Sequence, residues 1–118
     1  IDRPFVQMAL AEACARIEAM RVMNWRMAWG LEQGTLNPAD ASAVKVYCTE
    51  TLIEVYRLLL EVIGPVGALR KGSAAVALHG EIGQEARGCQ INTFGGGVNE
   101  IQREIVAMAG LRMPRAPR

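Results

Sequence analysis

Residues Thr93 to Arg103 read Thr-Phe-Gly-Gly-Gly-Val-Asn-Glu-Ile-Gln-Arg. Three consecutive glycines, Gly95 to Gly97, run straight into Val98, Ile101, Ile105 and Met108. Steps of three and four are the spacing of a helix with one apolar face, so the glycines are a turn that opens a helix from about Val98 to Ala109. Glycine accepts positive φ and lets another group approach the backbone closely. A Gly-rich turn before a helix also presents free N–H groups and the positive end of the helix dipole. The turn is therefore the first place to look for an anionic or polar ligand.

The same spacing governs the residues upstream. Pro4 sits in a first turn, where a missing N–H costs little, and Asp2 is the expected cap. Val6, Leu10, Ala13, Ile17, Met20, Met23, Met27 and Leu31 then form one stripe. A helix over 3–32 is about 45 Å long, which suits a bundle, and Gly34 stops it. Met8, Met20, Met23 and Met27 are read as adaptable packing. Trp25 and Trp29, one turn apart, are read as buried or interfacial.

A second helix starts with Asn37 as cap, Pro38 in the first position and Asp40 in the first turn. Its buried stripe is Ala41, Val44, Cys48, Leu52, Val55, Leu59 and Val62. Lys45, Glu50, Glu54, Arg57 and Glu61 form its polar side, with Arg57 spaced to pair with Glu54 and Glu61. Gly64-Pro65 ends it. Residues 65–72 read as a loop, and a third helix is expected over about 80–91, weakened by Gly80, Gly83 and Gly88. The tail from Leu111 to Arg118, with Pro114 and Pro117, is expected to be extended and mobile. No stretch alternates as a strand does. The expected fold is all-α: a single antiparallel four-helix bundle over 1–118.

Composition narrows the function. The 118 residues are enough for one core, and 51% hydrophobic against 21% charged argues against disorder. A net charge of +1 gives no bulk drive toward nucleic acid. Charges interrupt every apolar run, so no membrane span is expected. No signal peptide is visible, and because the first residue is Ile1 rather than Met, a fragment or a trimmed product is expected. Cys14, Cys48 and Cys89 are odd in number and lack CxxC spacing, which fits neither a disulfide framework nor a zinc site. They suit a reducing, cytoplasmic setting. His79 cannot build a histidine cluster alone and reads as a surface residue.

The run from Cys89 through the glycines to Arg115 resembles the C-terminal end of acyl-CoA dehydrogenases, above all the actinobacterial branch with its Phe-Gly-Gly-Gly-x-Asn-Glu-Ile-Gln-Arg signature. The likeness is strong over Cys89–Arg103, moderate over Lys45–Gly67 and loose in the first helix. It implies a C-terminal helical bundle from a flavoenzyme that also carries an N-terminal helical domain and a middle β-domain. It implies FAD as cofactor and α,β-desaturation of an acyl-CoA thioester, in which a carboxylate takes the Cα proton while hydride leaves Cβ. It also implies a dimer or tetramer, homomeric or heteromeric.

The usual base of such enzymes falls at Gly96 here, so no catalytic residue carries over. The base would stand on an earlier helix or on a partner subunit, and Glu100 and Glu104, already inside the helix, do not replace it. The resemblance gives Gly97, Val98, Asn99 and Glu100 contact with the adenosine half of FAD. It gives Glu61 and Gly64, at the end of the second helix, contact with FAD held by a neighbouring subunit. Glu61 and Pro65 depart from the family pattern, and a carboxylate beside a pyrophosphate is repulsive. Gly96 also suggests an alternative, a catalytically silent bundle serving as assembly partner of a base-bearing subunit. The isolated segment is expected to be helical, inactive and self-associating.

Overall fold

The computed structural model describes residues 2–115. Among them it shows helices and turns and no strand. Four α-helices, α1 (Pro4–Glu32), α2 (Pro38–Ile63), α3 (Glu81–Gly88) and α4 (Asn99–Ile105), are joined by a turn after α1 and by loops with short 3₁₀ segments after α2 and α3, and α4 continues as one wide π-type turn, Val106–Gly110. The all-α bundle expected from the periodicity is the observed fold. Where the tail was expected to be extended, residues 112–115 have no regular structure, and residues 116–118 lie outside the described residues.

Helix α2 is the axis. It packs on α1, α3, α4, the π-type turn and the 3₁₀ segments Pro65–Ala68 and Cys89–Thr93. Asn24 Nδ2 lies 3.7 Å from Cys48 Sγ, and Ala13 clusters with Val55 and Leu58, so α1 and α2 run antiparallel. Gly110 lies under Ala39, while Arg103 bonds Glu50, so α4 also runs against α2. Because α2 is covered on several sides, its buried residues are not one stripe. They are Ala39, Ser42, Val44, Thr51, Val55 and Leu58. Leu58 is the more deeply buried of the pair, and Leu59, expected to be buried, is half-buried against the same cluster.

The caps on α2 match their chemistry. Asn37 Oδ1 accepts from Ala39 N at 2.9 Å, which satisfies one of the free N–H groups of the first turn. Asn37→Ala is expected to cost about 1 kcal/mol, read as a lower denaturation midpoint with an unchanged slope. Gly64 closes the helix at φ +76, its N–H bonded to Leu60 O. Arg57 pairs with Glu54 at 2.5 Å and with Glu61, as the spacing predicts.

Helix α1 differs more. Its cap is Arg3, with no side-chain hydrogen bond; Asp2 stands one residue too far out. Only Val6, Ala13 and Gly30 are buried along its length, while Ile17, Leu31, Trp25 and Trp29 are exposed, the tryptophans at 74% and 61%. The expected stripe faces α2, but one neighbouring helix cannot cover it all. The accessible surface is 8425 Å², whereas a self-contained 12.8 kDa monomer exposes about 6,300 Å². The shape, 53 × 31 × 25 Å, is correspondingly long. About 2,000 Å² more surface is thus open than in an average monomer of this mass, and the tryptophans are part of it.

The third helix is shorter than expected. A turn with Leu78, His79 and Gly80 all at positive φ precedes it, and a 3₁₀ segment, Cys89–Thr93, follows. His79 is exposed on that turn.

Candidate functional site: the glycine turn and its anchor

Gly95, Gly96 and Gly97 are exposed, beside the Lys45 turn of α2. Gly96 has φ +68 and Gly97 φ +105, both in the region that favours glycine. A Cβ at Gly96 would meet nothing within 4 Å, so the apex of the turn opens onto free space. A Cβ at Gly97 would fall 2.5 Å from Gln102 Nε2, whose amide folds back to bond Gly96 O at 3.3 Å. Phe94, 66% exposed, flanks the opening.

The turn is held from below. Lys45, on α2, places its ammonium 3.2 Å from Thr93 O, 2.7 Å from Gly97 O and 2.5 Å from Asn99 Oδ1. Asn99 is 2% exposed. Its Nδ2 donates to Thr49 Oγ1 at 3.0 Å and to Glu50 Oε1 at 3.1 Å. Glu50 in turn accepts Arg103 Nη2 at 2.7 Å on both oxygens. No buried side-chain nitrogen or oxygen among the described residues lacks a partner.

The predicted site residues therefore separate. Gly97, Val98 and Glu100 lie exposed around the turn, with Val98 at 38%. Val98 and Ile101, expected inward, are both exposed, because Asn99 takes the inward position next to α2. The Asn99 amide is committed to α2 and has no free group to offer a ligand. Glu61 is exposed and its carboxylate is paired with Arg57, which offsets the repulsion it would exert on a phosphate. Gly64 is half-buried. Glu61 lies sixteen residues along α2 from Lys45, about 24 Å of helix, so the two predicted cofactor-contacting segments serve separate places.

Sequence reasoning placed Lys45 and Glu50 on a solvated face and missed the anchor. Lys45, Thr49 and Glu50 do share a face at i, i+4 and i+5, and Asn99 and Arg103 are spaced i, i+4 to meet them. That complementarity was the available signal.

Arg103's hydrogen bond holds the Glu50 carboxyl below the usual carboxylate range, against a smaller push upward from burial. A lowered folded-state pKa adds stability above the unfolded value, and that stability is lost as pH falls through the folded one. The chain is therefore expected to lose melting temperature as pH drops below 4.5. Glu50→Gln should flatten that loss, which a series of melts from pH 6 to pH 3 reads directly.

Apart from the turn, a cavity of about 310 Å³ lies where α1 meets the start of α2, lined by Met23, Met27, Trp29, Leu36 and Val44. It is remote in sequence from the glycines, and its charged lining residues are Arg26 and Asp40. Among the described residues no group of His, Cys, Asp and Glu is placed to hold a metal, and no helix is long and apolar enough to cross a membrane.

Residues 1–111 match the family model described as "Acyl-CoA dehydrogenase, C-terminal domain". The chain belongs to the acyl-CoA dehydrogenase family. Over its whole length this acyl-CoA dehydrogenase domain is 45% identical to "Acyl-CoA dehydrogenase FadE26" and 40% identical to "Acyl-CoA dehydrogenase FadE29", both of Mycobacterium tuberculosis. It spans 30% of the length of each. Among solved structures it is similar to a chain of the ChsE4–ChsE5 complex of M. tuberculosis, at 45% identity and a TM-score of 0.90. It is also similar to a chain of the Tcur3481–Tcur3483 steroid ACAD, at 46% identity and a TM-score of 0.93. In both cases 98% of this domain aligns to 30% of the longer chain.

Proposed function

We propose that this chain is the cofactor- and subunit-contacting C-terminal domain of an FAD-dependent acyl-CoA dehydrogenase that desaturates the α,β bond of an acyl-CoA thioester. The match of residues 1–111 to the family's C-terminal domain carries the reading. The glycine turn fits the adenosine half of FAD by one test: its apex is a backbone cradle with no Cβ and open space beside it. Gly97, Val98 and Glu100 would lie along that half, while Asn99 supports them from beneath. Glu61 and Gly64 would face a second FAD, held by a neighbouring subunit, with Arg57 neutralising the carboxylate. When bound, FAD supplies the acceptor for hydride. This chain's own residues orient the nucleotide end and form subunit contacts. The likeness to a steroid ACAD supports a steroid-derived acyl group as substrate.

Gly96 favours a second, compatible reading. Its φ of +68 leaves the usual base position without a carboxylate and with a backbone that strains any other side chain. The chain would then be the silent member of a heteromer, with a partner subunit supplying the base. The hetero-complexes among the similar structures support this arrangement.

The test is to produce the full-length protein alone and with the base-bearing subunit, then record flavin absorbance and its bleaching on anaerobic addition of a steroid-derived acyl-CoA. Flavin that bleaches only in the pair supports the silent-subunit reading. Bleaching by the protein alone overturns that reading and leaves the dehydrogenase reading standing. No flavin under either condition overturns both.

A further inference from the structure

We propose that Lys45 is a positioning residue for the cofactor: its ammonium ties both ends of the glycine turn to α2 and so sets where the apex meets the nucleotide. This rests on the reading of the turn as a nucleotide contact. Three neighbouring glycines have no side chains to fix their path, and each leaves the backbone free to wander. Lys45 supplies the missing constraint. One bond goes to Thr93 O, where the 3₁₀ segment ends, and another to Gly97 O, just before α4 begins. These carbonyls bracket the exposed loop, so a single point charge closes it like a drawstring. The third bond, to Asn99 Oδ1, fixes the first residue of α4. All three ammonium donors are spent, which no other side chain achieves from one atom.

The position is itself rigid. Lys45 lies on the helix that packs against every other α-helix, and its stem is half-buried. Thr49 Oγ1, one turn on, donates to Lys45 O at 3.0 Å and accepts from Asn99 Nδ2, which holds the two helices in one register. A charge-assisted hydrogen bond is about twice as strong as a neutral one. Losing three together should therefore free the loop while leaving the packing of α2 on α1 intact.

The test uses the full-length protein in complex with its partner subunit. Lys45→Met is expected to speed amide exchange at residues 94–98 and to raise the dissociation constant for FAD roughly tenfold, measured by release of fluorescent flavin. The reduction rate of flavin that stays bound should change far less than the affinity. Lys45→Arg keeps the charge but cannot aim three donors from one atom, so it should fall between Lys45→Met and wild type. It carries the same comparison if the Met variant does not assemble. Unchanged exchange at 94–98 overturns the proposal. So does faster exchange with wild-type FAD affinity. Val98→Glu, which sets a carboxylate on the exposed turn, separates the two failures. FAD lost from Val98→Glu but kept by the Lys45 variants sinks the role of Lys45 alone. FAD kept by Val98→Glu sinks the nucleotide reading on which it rests.

Discussion

Gly83→Ala is expected to lower stability by about 3 kcal/mol, the upper end of overpacking costs, seen as a shift of the urea midpoint with no change in slope. A Cβ at Gly83 would lie 2.4 Å from Gly67 O, far inside van der Waals contact. The obstacle is backbone, so no side-chain rotation relieves it. Gly67 is boxed in by its own neighbours: its Cβ position lies 3.0 Å from Ile63 and 3.1 Å from Leu60. Helix α3 would have to lift from the end of α2, and the 3₁₀ segment Pro65–Ala68 would move with it. Gly88 is the internal control, since nothing lies within 4 Å of its Cβ position. Gly88→Ala should be neutral or slightly stabilising through helix propensity. Equal effects at Gly83 and Gly88 would refute the close crossing.

Asn99→Leu is expected to cost about 2–3 kcal/mol, since charged groups are left short of partners beneath the turn. The two side chains branch alike at Cγ, although leucine's methyl groups take more room than the planar amide. What is lost is the acceptor for Lys45 and the donors to Thr49 and Glu50. Arg103 still holds Glu50, which caps the loss. Asn99→Asp would keep the acceptor but set a second carboxylate beside Glu50, so it should restore little. A Leu variant as stable as wild type would show that the network contributes nothing net.

The parts of the fold that sequence displays well are those fixed by local chemistry. Asn37-Pro38 and Gly64-Pro65 mark the ends of α2 because capping and φ restriction act within a few residues. The direction of the long stripe on α1 was equally plain. How deeply that stripe is buried was not, because burial depends on what lies opposite. Ile17 and Leu31 obey helical spacing and are still exposed, since no other element among the described residues covers them. The glycine turn was legible as a turn because glycine has few other reasons to occur three times in a row before a helix. Its anchor was not, because Lys45 and Asn99 are 54 positions apart and each is an ordinary polar residue of its own helix. Polar residues on a helix face read as solvated until a second helix with matching groups is laid against them. Asn99 shows the cost of this: sequence aimed it outward at a ligand, and the structure turns it inward to α2.

The lone partnership of α1 has a consequence for how the molecule breathes. Its principal support is α2, whereas α2 is braced by α3, α4 and the π-type turn as well. Its core contact with α2 is the Ala13–Val55–Leu58 cluster, so the amides of α1 away from that cluster are expected to exchange with solvent before those beside it. The long helix is thus a lever pinned most firmly where it meets Val55 and Leu58, with its two tryptophans standing clear of that pivot.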